Sequence, residues 1–223
     1  MKRLHVLLGF TLALTTVAAV RLGGWAVVTV ENPPEYLVSG KPLDVDFTVR
    51  QHGFTLRSDL KPSIEARSGM RRVTGTVRAL QRPGGYRATI TVPRSGEWQI
   101  AINSGWGRID GKMLPLRAIE STASAPAPLE ESERGRLLFA AKGCVTCHVI
   151  GGVDINGELQ GTGPDLTGRR FPAQYLIQFL ADPSIKPPSV ATAMRTMPNL
   201  ALRQAEIASL VAFINSERKL TSR

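Results

Sequence analysis

Cysteine is nearly absent from this chain: its 223 residues contain two, Cys144 and Cys147, with only Val145 and Thr146 between them. A disulfide-stapled scaffold is thereby excluded, because a bridge between these two would close too short a loop to restrict the unfolded chain much. Histidine is scarce as well, at three residues. His5, near the N-terminus, and His52, in a strand-like stretch, are poorly placed to complete a zinc site with the cysteine pair. After residue 20 no apolar run is long enough to span a bilayer. There is no clustered basic stripe and no nucleic-acid motif, so nucleic acid is not among the expected partners. With 43% hydrophobic and 21% charged residues, the composition has no collagen-like or coiled-coil bias and fits ordinary packed domains.

What is present begins with Met1, Lys2 and Arg3, followed by an apolar run from Leu4 to Val20 that contains no carboxylate. A charged segment ahead of an apolar one is an export signal, and Val17-Ala18-Ala19 offers the small residues a signal peptidase cuts after. The run also reaches the lower length limit for a membrane span, so residues 1–20 are expected to be either a removed signal peptide or a retained anchor. Both outcomes carry the remainder across the membrane, because the positive residues precede the apolar run. The expected location is periplasmic or otherwise extracytoplasmic, with membrane association through residues 4–20 where the anchor is kept. The net charge of +10 is uneven: residues 21–122 hold 15 Lys and Arg against 9 Asp and Glu, and residues 123–223 hold 11 against 9. That distribution describes a soluble basic face attracted to anionic headgroups.

The length suggests two modest domains. From Trp25 to Ile119 apolar residues recur with period two, the mark of half-buried strands. Leu43, Val45, Phe47 and Val49 alternate with polar residues, as do Tyr86, Ala88, Ile90 and Val92, and then Trp98, Ile100 and Ile102. Turn signals such as His52-Gly53, Ser68-Gly69 and Pro83-Gly84-Gly85 separate the runs. With Trp25 to Val30, Ile64 to Arg67, Val73 to Ala79 and Leu114 to Ile119, about seven strands are expected, which suits an immunoglobulin-like sandwich over residues 21–120. Residues 121–129, STASAPAPL, form a Pro/Ala linker. Beyond it the period becomes helical: a first helix with Glu130, Glu131 and Glu133 in its first turn, a second from Ala173 to Leu180, and a third from Arg203 to Glu217. An all-α domain is expected at 130–223.

Cys144-Val145-Thr146-Cys147-His148 is a C-x-x-C-H sequence, whose spacing lets both thiols add to the vinyl groups of one haem while the adjacent His148 reaches the iron. A thioredoxin-like dithiol would need a surrounding βαβ pattern that is missing. Glu133 to Phe139, Gly163-Pro164-Asp165-Leu166, Ala193 to Leu200 and Glu206 to Ile214 are together similar to four motifs of the class I cytochrome c family, and the resemblance covers about ninety residues. It implies a first helix in which Gly135 lets two helices cross closely and Phe139 packs on the last helix. It implies a loop whose Pro164 carbonyl accepts the His148 N–H, fixing the tautomer and raising its basicity. It also implies Met197 as the second axial ligand, through a Met-Pro distal loop. Met194 is the nearby alternative, but lacks the following proline and the family's spacing to the last helix. Thioether sulfur favours ferrous iron, so a His148/Met197 pair suits an electron carrier rather than an enzyme.

The sequence departs from the family where Arg203 stands in place of a capping residue, so fraying of the last helix's first turn is expected. Arg169, Arg170 and Tyr175 are candidate donors to haem propionates, with solvated arginines as the equal alternative. Gly84 to Ile102 resembles the small sandwiches called YtkA-like or FixH-like, some of which accompany copper-handling or oxidase-assembly proteins. Copper ligands would have to come from His52, Met70 and Met113, which are scattered in sequence. A docking module is therefore the expectation, with Trp25, Trp98 and Trp106 as core or interface anchors. The function expected is electron transfer by one covalent haem c between redox-protein partners, free or docked on a membrane respiratory complex. The alternatives are a subunit of a copper-containing or terminal oxidase and, less favoured, a peroxidase or haem sensor.

Overall fold

The computed structural model describes residues 24–107, 110–120, 126–153, 155, 162–185 and 197–216. The export segment 1–20, most of the linker and Met194 lie outside the described residues.

Alternation becomes strand wherever one face can be buried. In β3 (Leu43–Gln51), Val45, Phe47 and Val49 are fully buried, while between them Asp46 is half-buried and Thr48 is covered by its hydrogen bonds to Glu31 and Arg82. β3 pairs antiparallel with β1 (Ala26–Val30) on one side and β8 (Gly85–Ile90) on the other. β7 (Thr76–Ala79) extends this sheet beyond β8, and β4 (Thr55–Leu56) pairs with β3. The second sheet runs in the order β2 (Leu37–Val38), β11 (Leu116–Ile119), β9 (Gly96–Asn103), β5 (Ser63–Ser68), β6 (Arg71–Thr74), with β10 (Asp110–Lys112) beside β9. Trp98, Tyr86 and Phe47 fill the space between the sheets. The Phe47 and Tyr86 rings stack with centroids 5.5 Å apart, and the Tyr86 hydroxyl donates to the Arg57 carbonyl at 2.9 Å. A buried ring with a satisfied polar tip fixes the core in one arrangement.

Two sheets were expected, but from seven strands; the described residues form eleven. The stretch from Val73 to Ala79 is two strands that belong to different sheets, β6 beside β5 and β7 beside β8. Gly75 makes the crossing: a Cβ there would lie 2.2 Å from the Thr89 carbonyl oxygen, so only glycine lets the chain pass so close to β8. β2, β4 and β10, at two or three residues each, are too short for alternation to register.

The C-terminal region holds α1 (Glu131–Ala141), α2 (Ala173–Ala181) and α3 (Gln204–Ile214), with 3-10 turns at Cys144–Thr146 and Pro183–Ile185. α1 and α3 cross at Gly135, where a Cβ would lie 1.9 Å from the Ser209 carbonyl oxygen. One turn on, the Phe139 and Phe213 rings meet edge to face, centroids 5.8 Å apart. The first turn of α3 is nevertheless capped. Glu206 reaches back to accept from the Arg203 backbone N–H at 2.9 Å and from its guanidinium at 2.6 Å, the half of a capping box that arginine permits. α3 also stops short of Glu217: Asn215 ends it, its side-chain amide donating to the Phe171 carbonyl and accepting from the Phe171 N–H, both at 2.9 Å.

The two regions share a packed boundary. Val27 of β1 and Leu114 belong to the helical cluster, while Ala141 of α1 belongs to the sandwich core. Around this apolar contact, the Lys142 ammonium donates to the Glu31 carbonyl at 2.8 Å and Arg134 pairs with Glu35 at 2.6 Å.

Candidate functional site

α1 ends at the C-cap Lys142, and Gly143 then takes a left-handed conformation, φ +84°, that turns the chain into the 3-10 turn carrying Cys144. The Cys147 and His148 N–H groups both donate to the Cys144 carbonyl, at 3.1 and 2.9 Å, winding the C-x-x-C-H segment so that both thiols and the imidazole line one pocket. No disulfide joins the two cysteines. Burial pushes the Cys144 thiol up to about 12.

The loop at 163–166 is zipped onto this segment by two backbone hydrogen bonds, Gly163 N–H to the Cys147 carbonyl at 2.9 Å and Leu166 N–H to the Val149 carbonyl at 2.8 Å. This brings the Pro164 carbonyl to 3.0 Å from His148 Nδ1. A carbonyl only accepts, so Nδ1 carries the hydrogen and Nε2 keeps its lone pair. Burial lowers the His148 pKa and the Pro164 hydrogen bond only partly offsets this, so the imidazole is neutral near pH 7 and able to ligate a metal.

Met197 is half-buried on an irregular segment and lines the same pocket. Downstream that segment is anchored by buried Leu200 and by Asn199, whose amide donates to the Ala181 carbonyl at 3.3 Å. The pocket holds about 390 Å3, and its helical walls are mainly apolar: Phe139, Leu166, Phe171, Leu176, Phe179, Leu180, Leu210 and Ile214. Two thiols, a neutral imidazole with a fixed tautomer and a thioether around an apolar pocket are the donor set that a covalently attached haem requires.

Residues 132–217 match the family model for cytochrome c. The C-terminal region is a cytochrome c domain. No curated protein matches the chain. A cytochrome c domain is a haem-based electron-transfer unit, and its Gly135 crossing, its Phe139 packing and its Pro164 carbonyl stand where the motifs implied.

Of the remaining candidates, Tyr175 lines the pocket and stacks on Phe179 with centroids 5.7 Å apart, whereas Arg169 and Arg170 are exposed and off the pocket wall. His52, Met70 and Met113 occupy three different settings: Met113 is in the sandwich core, Met70 is fully exposed at a hairpin tip, and His52 is on the pocket. Trp98 is a core anchor and Trp25 an interface one; half-buried Trp106 lies under the Arg57 guanidinium at 4.1 Å. Sequence reading did not connect His52, Trp25 or Phe54 with the cytochrome c pocket, because they precede Cys144 by some ninety residues or more and no local pattern encodes that contact.

Proposed function

We propose that the chain carries single electrons between protein partners outside the cytoplasm, using one haem c bound through Cys144 and Cys147 with His148 and Met197 as axial ligands. The observation that carries this reading is the shared pocket in which a carbonyl-oriented His148 faces the same space as both thiols and Met197. Bound there, a haem supplies a reversible one-electron couple. The chain's own residues do the rest. Pro164 keeps the Nδ1 proton in place and so makes His148 a more basic donor. Met197 would hold the metal with a soft sulfur that favours the reduced state and would leave no site for an exchangeable substrate. The apolar walls exclude water and limit rearrangement between oxidation states. With Met197 as a ligand, the iron would offer no open position of the kind a peroxidase needs.

Residues 1–20 then export the chain and are cleaved or kept as an anchor; residues 21–120, 121–129 and 130–223 are the sandwich, linker and cytochrome c units. The sandwich serves for docking, on a membrane respiratory complex in the reading we favour. A subunit of a terminal oxidase would use the same geometry, and copurification with a membrane complex separates it from a free carrier.

The test is the visible spectrum of oxidised protein produced with haem-attachment machinery, wild type beside Met197→Leu. A long-wavelength sulfur-to-iron charge-transfer band in the wild type that disappears in the variant is the expected result. A high-spin wild type that binds cyanide or CO rapidly would show an open sixth position and move the assignment to an enzyme or sensor.

A further inference from the structure

The cytochrome c pocket is not built by the cytochrome c domain alone. Trp25, Val27, His52 and Phe54 of the sandwich face the same space as Cys144, Cys147, His148 and Met197. Two close approaches fix this wall. Next to Cys144, a Cβ on Gly143 would lie 2.7 Å from Val27 Cγ1. Next to Met197, a Cβ on Gly53 would lie 2.8 Å from Pro198 Cγ. Sandwich backbone and side chains thus press on both the thiol-bearing segment and the methionine-bearing one.

The turn that does so is held in shape. His52 and Gly53 both have positive φ, +53° and +82°. A non-glycine residue there is uncommon and persists only where its surroundings fix it. The fixing contacts are the His52 N–H to the Trp25 carbonyl at 2.9 Å, the Phe54 N–H to the Gln51 carbonyl at 3.0 Å, and the His52 ring against the Trp25 indole, centroids 5.5 Å apart. Trp25 in turn packs into the helical apolar cluster. Phe54, at 54% exposed, reaches the pocket while contributing little to either core.

Given the haem reading above, on which this rests, we propose that the sandwich completes the haem pocket, with Trp25, His52 and Phe54 walling the side beside Met197 and Pro198 against water. The oxidised site carries one more positive charge than the reduced site, and water stabilises the more charged state. A wall of aromatic rings therefore raises the reduction potential. It also slows the exchange of Met197 for ligands from solution. The sandwich is then a determinant of the redox centre as well as a docking module.

The experiment uses the full-length holoprotein with Phe54→Ala, with His52→Asn, which keeps a residue tolerant of positive φ, and with the double variant. Met70→Ala, at a fully exposed hairpin tip off the pocket, is the control. Three quantities are read: the equilibrium reduction potential by spectroelectrochemical titration, the rate of imidazole binding to oxidised protein, and the thermal midpoint. The expected result is a lower potential and several-fold faster imidazole binding in the pocket variants, largest in the double variant, with the thermal midpoint held in Phe54→Ala and the control unchanged. A merely structural role would move the midpoint and not the potential. Identical potentials and imidazole rates in wild type and double variant would overturn the inference while leaving the haem assignment intact. A wild type without covalent, low-spin haem would overturn that assignment, and this inference with it.

Discussion

The Lys142 ammonium lies 2.7 Å from the Glu206 carboxylate, and the two side chains are 4% and 5% exposed. The pair joins the end of α1 to the first turn of α3, and Lys142 adds a second tie by donating to the Glu31 carbonyl of the sandwich. Two residues after this clamp comes Cys144, so the attachment segment starts from a fixed point on both regions.

Breaking a buried pair strands the surviving charge, whereas removing both partners does not. Lys142→Met is expected to cost less than the about 3–5 kcal/mol of a wholly unpaired buried charge, because Arg203 still pairs with Glu206, and the double variant with Glu206→Leu to cost less than the sum of its two single variants. Urea denaturation of the variants measures it. A cost of the double variant equal to the sum of the costs of Lys142→Met and Glu206→Leu would mean that the pair is not coupled.

Acid should weaken this clamp and others like it. Burial alone would raise the Glu206 pKa, but hydrogen bonds from Arg203 and Lys142 outweigh it and hold the carboxylate below its ordinary range. The Arg87 hydrogen bond does the same for Asp46. When the folded pKa is depressed, the unfolded chain takes up protons first on acidification. The associated stability is fully present above the unfolded carboxylate values, about 4, and is lost as pH falls through the folded ones. Urea midpoints are expected to be flat down to about pH 5 and to fall steeply below about pH 4. Glu206→Gln should start lower at neutral pH and fall less steeply. A parallel decline in the two proteins would exclude Glu206 as a contributor.

A neighbouring interface pair should matter much less. Arg134 and Glu35 are as close, at 2.6 Å, but their side chains are 38% and 32% exposed. Solvent screening limits such pairs, so Glu35→Ala is expected to cost under about 1 kcal/mol by the same denaturation. A larger loss would show that this edge of the interface is drier than its exposure indicates.

The contrast between these pairs shows what a sequence makes legible. Alternation at Leu43 to Val49 and Tyr86 to Val92 announces strands because each residue's environment is set by its neighbours along the chain. The C-x-x-C-H segment and Met197-Pro198 are legible for the same reason: each is a short local motif that the family resemblance picks out by its spacing. Gly75 looked like one polar step in a single strand, since only the Thr89 carbonyl crossing above it reveals the change of sheet. Arg203 looked like a missing cap because the acceptor is Glu206 reaching back. Lys142 to Glu31 and Gly53 to Pro198 join residues far apart in sequence, and no period records them.

The α1–α3 crossing has almost no tolerance. With the Ser209 carbonyl oxygen 1.9 Å from where a Cβ would sit on Gly135, backbone must move to admit even alanine. Gly135→Ala would ordinarily gain helix propensity. Here it is expected to cost about 1–3 kcal/mol or more through overpacking. A neutral or stabilising change in thermal denaturation would mean that the helices can separate freely.

Gly163 tests the orientation of His148. A Cβ there would lie 2.6 Å from His148 Cε1 and 2.7 Å from Nδ1, inside the imidazole's contact radius. The loop cannot simply retreat, because the Gly163 N–H is bound to the Cys147 carbonyl and the Leu166 N–H to the Val149 carbonyl. The ring has to turn instead, and turning it breaks the 3.0 Å hydrogen bond to Pro164 that fixes the tautomer. Gly163→Ala is therefore expected to lower the haem content of purified protein and to increase its high-spin fraction, read from the ratio of haem to protein absorbance and from the visible spectrum. Gly168→Asn is the matched control: it lies in the same region, at a positive φ that asparagine accepts, and nothing stands within 4 Å of the added Cβ. Full haem content and an unchanged spectrum in Gly163→Ala would show that His148 is held by something other than this loop. Loss confined to Gly163→Ala would identify the close approach of the glycine to the ring as what aims the imidazole at the pocket.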